Sequence, residues 1–163
     1  MTQAVGETVL KWLAQAAFPH TSNGPDATAN GGYSPLSDEL DLAALTPEGV
    51  LDILVSAKLK TASGSLGSNP FAQIVAAGRA DGTNYPGVTG NYQKVGRGAI
   101  IGAANTTVYS PKFSLRSAFG GVLPRYVKAG LFNSSGLALA GSANGNTDNQ
   151  VYYEAVTAFT KLS

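Results

Sequence analysis

Few side chains here could do chemistry. The chain has one histidine, His20, and no cysteine, which excludes thiol nucleophiles, disulfides and cysteine zinc sites. His20 lies among Pro19, Thr21, Ser22, Asn23, Gly24 and Pro25, a run of turn formers. A catalytic imidazole needs a rigid neighbour to orient it and a nucleophile within hydrogen-bond reach. This setting predicts neither. No Gly-x-Ser-x-Gly elbow occurs, and Gly64-Ser65-Leu66-Gly67 reads as a turn. Gly96-Arg97-Gly98-Ala99-Ile100-Ile101-Gly102 superficially matches a dinucleotide loop, but its last spacing is one residue too long. No helix-forming stretch follows to present its N-terminus to phosphate, so these glycines read as entering a strand.

Three further groups carry oxygen or aromatic chemistry. Asp38, Glu39 and Asp41 sit close together, with Glu48 and Asp52 nearby, and two carboxyls are what a glycosidase needs. No aromatic pattern surrounds them, so the reading is a solvated acidic stretch. Asn144-Gly145-Asn146-Thr147-Asp148-Asn149 offers oxygens to calcium but has a single acid and no bidentate glutamate. It reads as a polar hairpin tip whose side chains bond their own backbone. Tyr85, Tyr92, Tyr109, Tyr126, Tyr152 and Tyr153 are spread over several expected strands. They form either a sugar-stacking surface or core and cross-strand pairs. The expectation is a protein without catalytic, cofactor-binding or metal-binding residues.

The elements that must position these groups follow from composition and periodicity. Charged residues make up 13 % of the 163 residues, roughly half the usual share. Glycine, serine, threonine and asparagine replace them, which suits many short strands joined by turns. A nearly uncharged surface also favours association. The net charge of +1 is unevenly divided. Residues 1–60 hold seven acids against Lys11, Lys58 and Lys60, and the remainder holds eight bases against Asp81, Asp148 and Glu154. The bases are scattered without aromatic interleaving, so nucleic-acid binding is not expected. An acidic arm docked on a more basic body, its own or a neighbour's, explains the split. No apolar run approaches the ~20 residues that span a bilayer. The start lacks a basic region and an A-x-A cleavage pattern, so a soluble protein made in a cytoplasm is expected.

Residues 2–17 read as a helix, with Val5, Val9, Trp12, Leu13 and Ala16 on one stripe and Pro19 as its stop. Residues 19–35 read as a Pro/Gly/Asn linker, giving an arm over 1–35 and a body over 36–163. The stripe packs on its own domain or docks Trp12 into a partner. In the body, 49–60 is the clearest strand, with Leu51, Ile53, Val55, Ala57 and Leu59 on one face. Strands are also expected at 71–77, 98–104, 108–115 (with an edge or bulge at Pro111), 126–132, 136–140 and 150–160. The pair 126–132 and 136–140 reads as a hairpin. The expected core is Leu51, Ile53, Val55, Ile74, Ile100, Val127, Leu131 and Val156. Seven or eight such strands predict a mainly β fold, an antiparallel β-sandwich of jelly-roll type with an N-terminal helical arm.

Several phrases carry a resemblance. They are the strand Asp52 to Leu59, the turn Asp81-Gly82-Thr83-Asn84-Tyr85, Phe119-Gly120-Gly121-Val122-Leu123-Pro124, Asn133-Ser134-Ser135-Gly136 and Val151-Tyr152-Tyr153. Across about 40–156 the chain resembles a group of tailed-phage virion-associated proteins, similar to capsid cement (decoration) proteins or tail appendages. The resemblance implies a β-sandwich on the virion that binds the major capsid protein and sister subunits, as a dimer or trimer, without enzymatic activity. The alternative it leaves is a tail appendage or receptor- or carbohydrate-binding module. The expected partner-facing residues are Val5, Val9, Trp12 and Leu13 on the arm and Tyr85 and Tyr92 in a loop.

Overall fold

The computed structural model describes residues 7–21, 24–79, 93–142 and 147–161. These residues form two antiparallel sheets with very little helix. Strand β4 (Asp52–Leu59) illustrates why. Ile53, Val55, Ala57 and Leu59 are buried, while Asp52, Leu54, Ser56 and Lys58 are half-buried on the opposite face. A period of two is the geometry of a strand. Leu51, expected to head this row, precedes the strand and is exposed.

Sheet A contains β1 (Glu7–Trp12), β2 (Ala16–Ala17), β4, β7 (Val108–Tyr109), β8 (Phe113–Ser114) and β10 (Gln150–Lys161). Its order is β1-β10-β4-β7, with β2 also on β10 and β8 also on β4. Sheet B has the order β3-β9-β5-β6, from β3 (Leu40–Asp41), β9 (Tyr126–Ser134), β5 (Phe71–Arg79) and β6 (Gln93–Ile100). One hydrophobic cluster draws on both sheets, including Ile53, Val55 and Leu59 from β4, Ile74 from β5, and Val127 and Leu131 from β9. Full burial of such side chains contributes about 1.5–3 kcal/mol each. Pro111 lies in the break between β7 and β8, where the expected single strand splits. After it comes a short helix, α1 (Leu115–Ala118), capped by Ser114, whose hydroxyl accepts from the Ser117 N–H at 2.9 Å.

The structure corrects the expected N-terminal helix. Residues 7–12 are a strand in register with β10 from Glu7↔Lys161 to Trp12↔Val156, while residues before 7 lie outside those described. Thr8, Val9 and Trp12 are β-branched or aromatic, and a complete ladder on β10 outweighs a weak helical stripe interrupted by Gly6. Alternation then separates the stripe: Val9 and Leu13 lie on one side and Trp12 on the other.

The segment expected as a linker is built into the body. Phe18 is in the core, and Gly24, Pro25, Asp26, Thr28 and Ser34 are buried. Residues 31–41 run antiparallel along β9, through the Tyr33↔Phe132 bridge to Leu40↔Val127. Pro35 has no N–H for such a ladder, and serine hydroxyls satisfy β9 instead: Ser34 Oγ accepts from Leu131 N and Ser37 Oγ from Ala129 N.

Two smaller expectations also shift. The turn at Ser134-Ser135-Gly136 forms, but the chain after it does not return along β9; Leu139 bridges Thr61 instead. The expected strand at 98–104 lies earlier, at 93–100, and irregularly: pairing to β5 jumps from Ala72↔Ala99 to Ile74↔Val95. Gly98 occupies that irregularity, where a Cβ would come within 2.5 Å of the Phe71 ring. The displaced phase leaves Ile100 76 % exposed and buries Ile101 completely.

Candidate interaction surface

The acids expected as a solvated stretch are held individually, and in cis. Glu39 accepts two hydrogen bonds from the Arg79 guanidinium, both at 2.8 Å. Asp41 is matched in the same way by Arg125, at 3.1 and 3.2 Å. Between the two arginines lies Tyr126, with guanidinium carbons 4.0 and 4.8 Å from its ring centre. Strand pairing explains the cluster, since Tyr126 stands opposite Arg79 on one side and Asp41 on the other. The Arg125 hydrogen bond holds the Asp41 carboxyl below its ordinary value and raises Arg125. Glu48 is also lowered, chiefly by the Thr46 hydroxyl that donates to it. Asp52 accepts from Ile53 N, Ser114 Oγ and Arg116 N, tying β4 to α1. These acids are engaged in structure, and the uneven charge of the sequence is partly neutralised within one chain.

A second polar cluster was not legible in the sequence. Asp26 is 3 % exposed and accepts from Thr147 N and Oγ1, Asp148 N, and Asn149 N and Nδ2. Asn149, fully buried, also donates to Ala140 O and accepts from Lys60 N. Buried Asn133 bonds the Thr28 and Leu137 carbonyls and accepts from Ser135. Gly141 passes over Asp26 at φ +96°, where a Cβ would lie 2.4 Å from the carboxyl oxygen. Among the described residues these hydrogen-bond partners all donate to Asp26, so the cluster is a clamp between distant loops. Of the loop expected to offer calcium ligands, Asn144 to Asn146 lie outside the described residues. Among the described residues, no three His, Asp or Glu side chains are grouped to hold a metal.

The tyrosines are dispersed. Tyr153 meets Phe18 edge-on with centroids 5.1 Å apart, Tyr126 lies between its arginines, and Tyr109 is exposed on β7. Val5, Tyr85 and Tyr92 lie outside the described residues. His20 is half-buried in the loop after β2. Two open clefts of about 320 and 270 Å³ are lined by Asn30, Ser68, Asn69 and Phe71, and by Leu42, Val50, Leu123 and Arg125. The first also holds the Ser134 hydroxyl, and among the lining residues neither cleft has a base beside a nucleophile or an acid–base pair.

What stands out chemically is the β1 margin of sheet A. Leu10 is 56 % and Trp12 55 % exposed. They face Ala158 and Val156 across the ladder, so all four lie on the outer side of the sheet. Exposed Leu51 is alongside, its N–H donating to Val156 O at 2.8 Å. Of the residues expected to face a partner, Trp12 is exposed, Leu13 packs against the core and Val9 is half-buried on the inner side. Leu10, two residues from Trp12 on the same side of the strand, is exposed with it. A contiguous apolar patch on a sheet's outer face marks an interaction surface, and tryptophan is a frequent anchor. Comparison of the chain with protein-family models, curated proteins and solved structures gives no match.

Proposed function

We propose that this protein is a non-enzymatic structural component of a phage virion, a jelly-roll-like sandwich that binds the outer capsid surface and stabilises the shell as a homo-oligomer. The observation that carries this reading is the Leu10/Trp12 face of sheet A, an anchor-bearing apolar patch on a protein with few charges. The pairing order supports it. β1 pairs β10, β3 pairs β9, β4 pairs β7 and β8, and β5 pairs β6. These nested pairs alternate between the sheets, as in a ribbon of antiparallel pairs wound into a jelly roll, an architecture used by capsid and lectin domains. Repeated copies on a lattice gain by multivalency even where each contact is weak.

The test is to add purified protein to particles lacking it and image them. Density at regular shell positions, lost in a Trp12→Ser variant that remains folded, is the expected result. Density confined to the tail would replace this reading with an appendage that binds a receptor or carbohydrate. Absence of binding to any part of the particle would remove both.

A further inference from the structure

We propose that β1 is a self-association edge: two copies of the chain pair their β1 strands antiparallel about a twofold axis at Val9, which sets Glu7 opposite Lys11 of the second copy. This deepens the homo-oligomer of the proposed function and rests on that reading only for the expectation that the chain self-associates.

The edge is open and in phase for such pairing. β1 ends sheet A, and among the described residues no strand pairs its outer side. Leu13 N–H donates to Ala155 O at 2.9 Å, continuing the register that sets Trp12 against Val156. Backbone groups in a strand alternate between its two sides. Val9 and Lys11 therefore turn N–H and C=O toward β10, while Thr8, Leu10 and Trp12 turn theirs outward. The other margins are protected in ways that natural sheets use. β3, β7 and β8 have two residues each, and β6 is interrupted by two glycines and by a jump in its pairing to β5. β1 has six residues with neither proline nor glycine.

Charge selects the register. Hydrogen bonding requires Thr8, Leu10 and Trp12 to face one another, which leaves twofold centres at Val9, Leu10 or Lys11 for a well-overlapped pair. A centre at Lys11 sets lysine against lysine, which is unfavourable. A centre at Leu10 sets Lys11 against Val9. Only the Val9 centre places Glu7 opposite Lys11, and it does so twice by symmetry, while Thr8 and Leu10 exchange backbone bonds. An isologous contact of this kind is self-complementary and closed. It also joins Leu10, Trp12 and Ala158 of both copies into one outer apolar stripe and makes the two A sheets continuous, as in strand addition.

Sedimentation of the full chain across micromolar concentrations tests this. The expected species is a dimer. Leu10→Pro should give a folded monomer, because its N–H is unused by β10 and proline is tolerated on an edge. Lys11→Glu alone should be monomeric, since it sets glutamate against Glu7. A chain carrying Glu7→Lys with Lys161→Glu, which preserves the opposite charges at Glu7↔Lys161, should also be monomeric alone. An equimolar mixture of these two charge variants should recover the dimer. A monomeric or trimeric wild type overturns the proposal, as does a dimer that persists in Leu10→Pro or in Lys11→Glu. Particle binding reads the other question: a monomer that still decorates shells removes the β1 dimer and leaves the proposed function standing.

Discussion

Residues 24–34 and residues 7–12 both belong to the N-terminal part of the chain, yet they handle their polar groups in opposite ways. The first stretch is poor in large apolar side chains, and its buried members are held through hydrogen bonds: Asp26, Thr28 and Ser34 each meet groups from distant loops or strands. The second has strong strand formers and leaves two of its largest side chains outside. The contrast teaches that burial here follows satisfaction of polar groups as much as hydrophobicity. A polar loop with a partner for each donor can enter a fold, while an apolar strand at a margin can remain exposed to meet something else.

The largest effect should come from breaking the buried side of this contrast. Asp26→Ala removes the acceptor of three backbone N–H groups and is expected to cost roughly 3 kcal/mol, read as a lower urea midpoint at unchanged slope. Gly141→Ala, which drives a methyl group into the same carboxyl, should act in the same direction. An unchanged midpoint in Asp26→Ala would show that the clamp does not hold the loops. The exposed side should behave differently. Trp12→Ser is expected to change stability by no more than about 0.5–1 kcal/mol, as for most surface substitutions, while abolishing the decoration of shells. A large loss of stability would place the indole in the fold's own packing.

The smallest effect sharpens the comparison with a third kind of polar group, the exposed ion pair. Asp41 is held low by Arg125, so any stabilisation from the pair is present above the unfolded value and disappears as pH falls through the folded one. Arg125→Ala should raise the titration of the Asp41 carboxyl carbon measured by NMR, with little change in unfolding because the pair is exposed. An unmoved titration would show that Arg125 does not set it.

Much of the β architecture was legible because alternation is local. Ile53, Val55, Ile74, Val127 and Leu131 are buried in the core as their spacing predicts, whereas Val156 is covered on the outer side of sheet A. Errors arose where two periods fit one segment. Val9, Trp12 and Leu13 satisfy a helical stripe, while Thr8, Leu10 and Trp12 satisfy a strand edge, and only pairing with β10, far away in sequence, decides between them. Ile100 and Ile101 were exchanged because the irregular pairing beside Gly98 shifts the phase. The Asp26 clamp left no local trace, since its acceptor and donors are separated by more than 120 positions. Trp12 stands out by residue type and is exposed, while Leu10 beside it carries no such signal of its own.

The position of β10 between β1 and β4 has a kinetic meaning. All four strands of sheet B are complete by Ser134, whereas sheet A gains its central strand only with residues 150–161. On a chain made from its N-terminus, β1 must therefore wait unpaired, and β4, which can already pair β7 and β8, keeps its other edge open, while sheet B can already close. Joining Glu7 to Lys161 spans nearly the whole sequence. Contacts of that range dominate slow folding, although the entropy of closing so long a loop grows only logarithmically. The last strand thus works as a keystone, and until it arrives the strand edges of sheet A are open to any neighbouring chain.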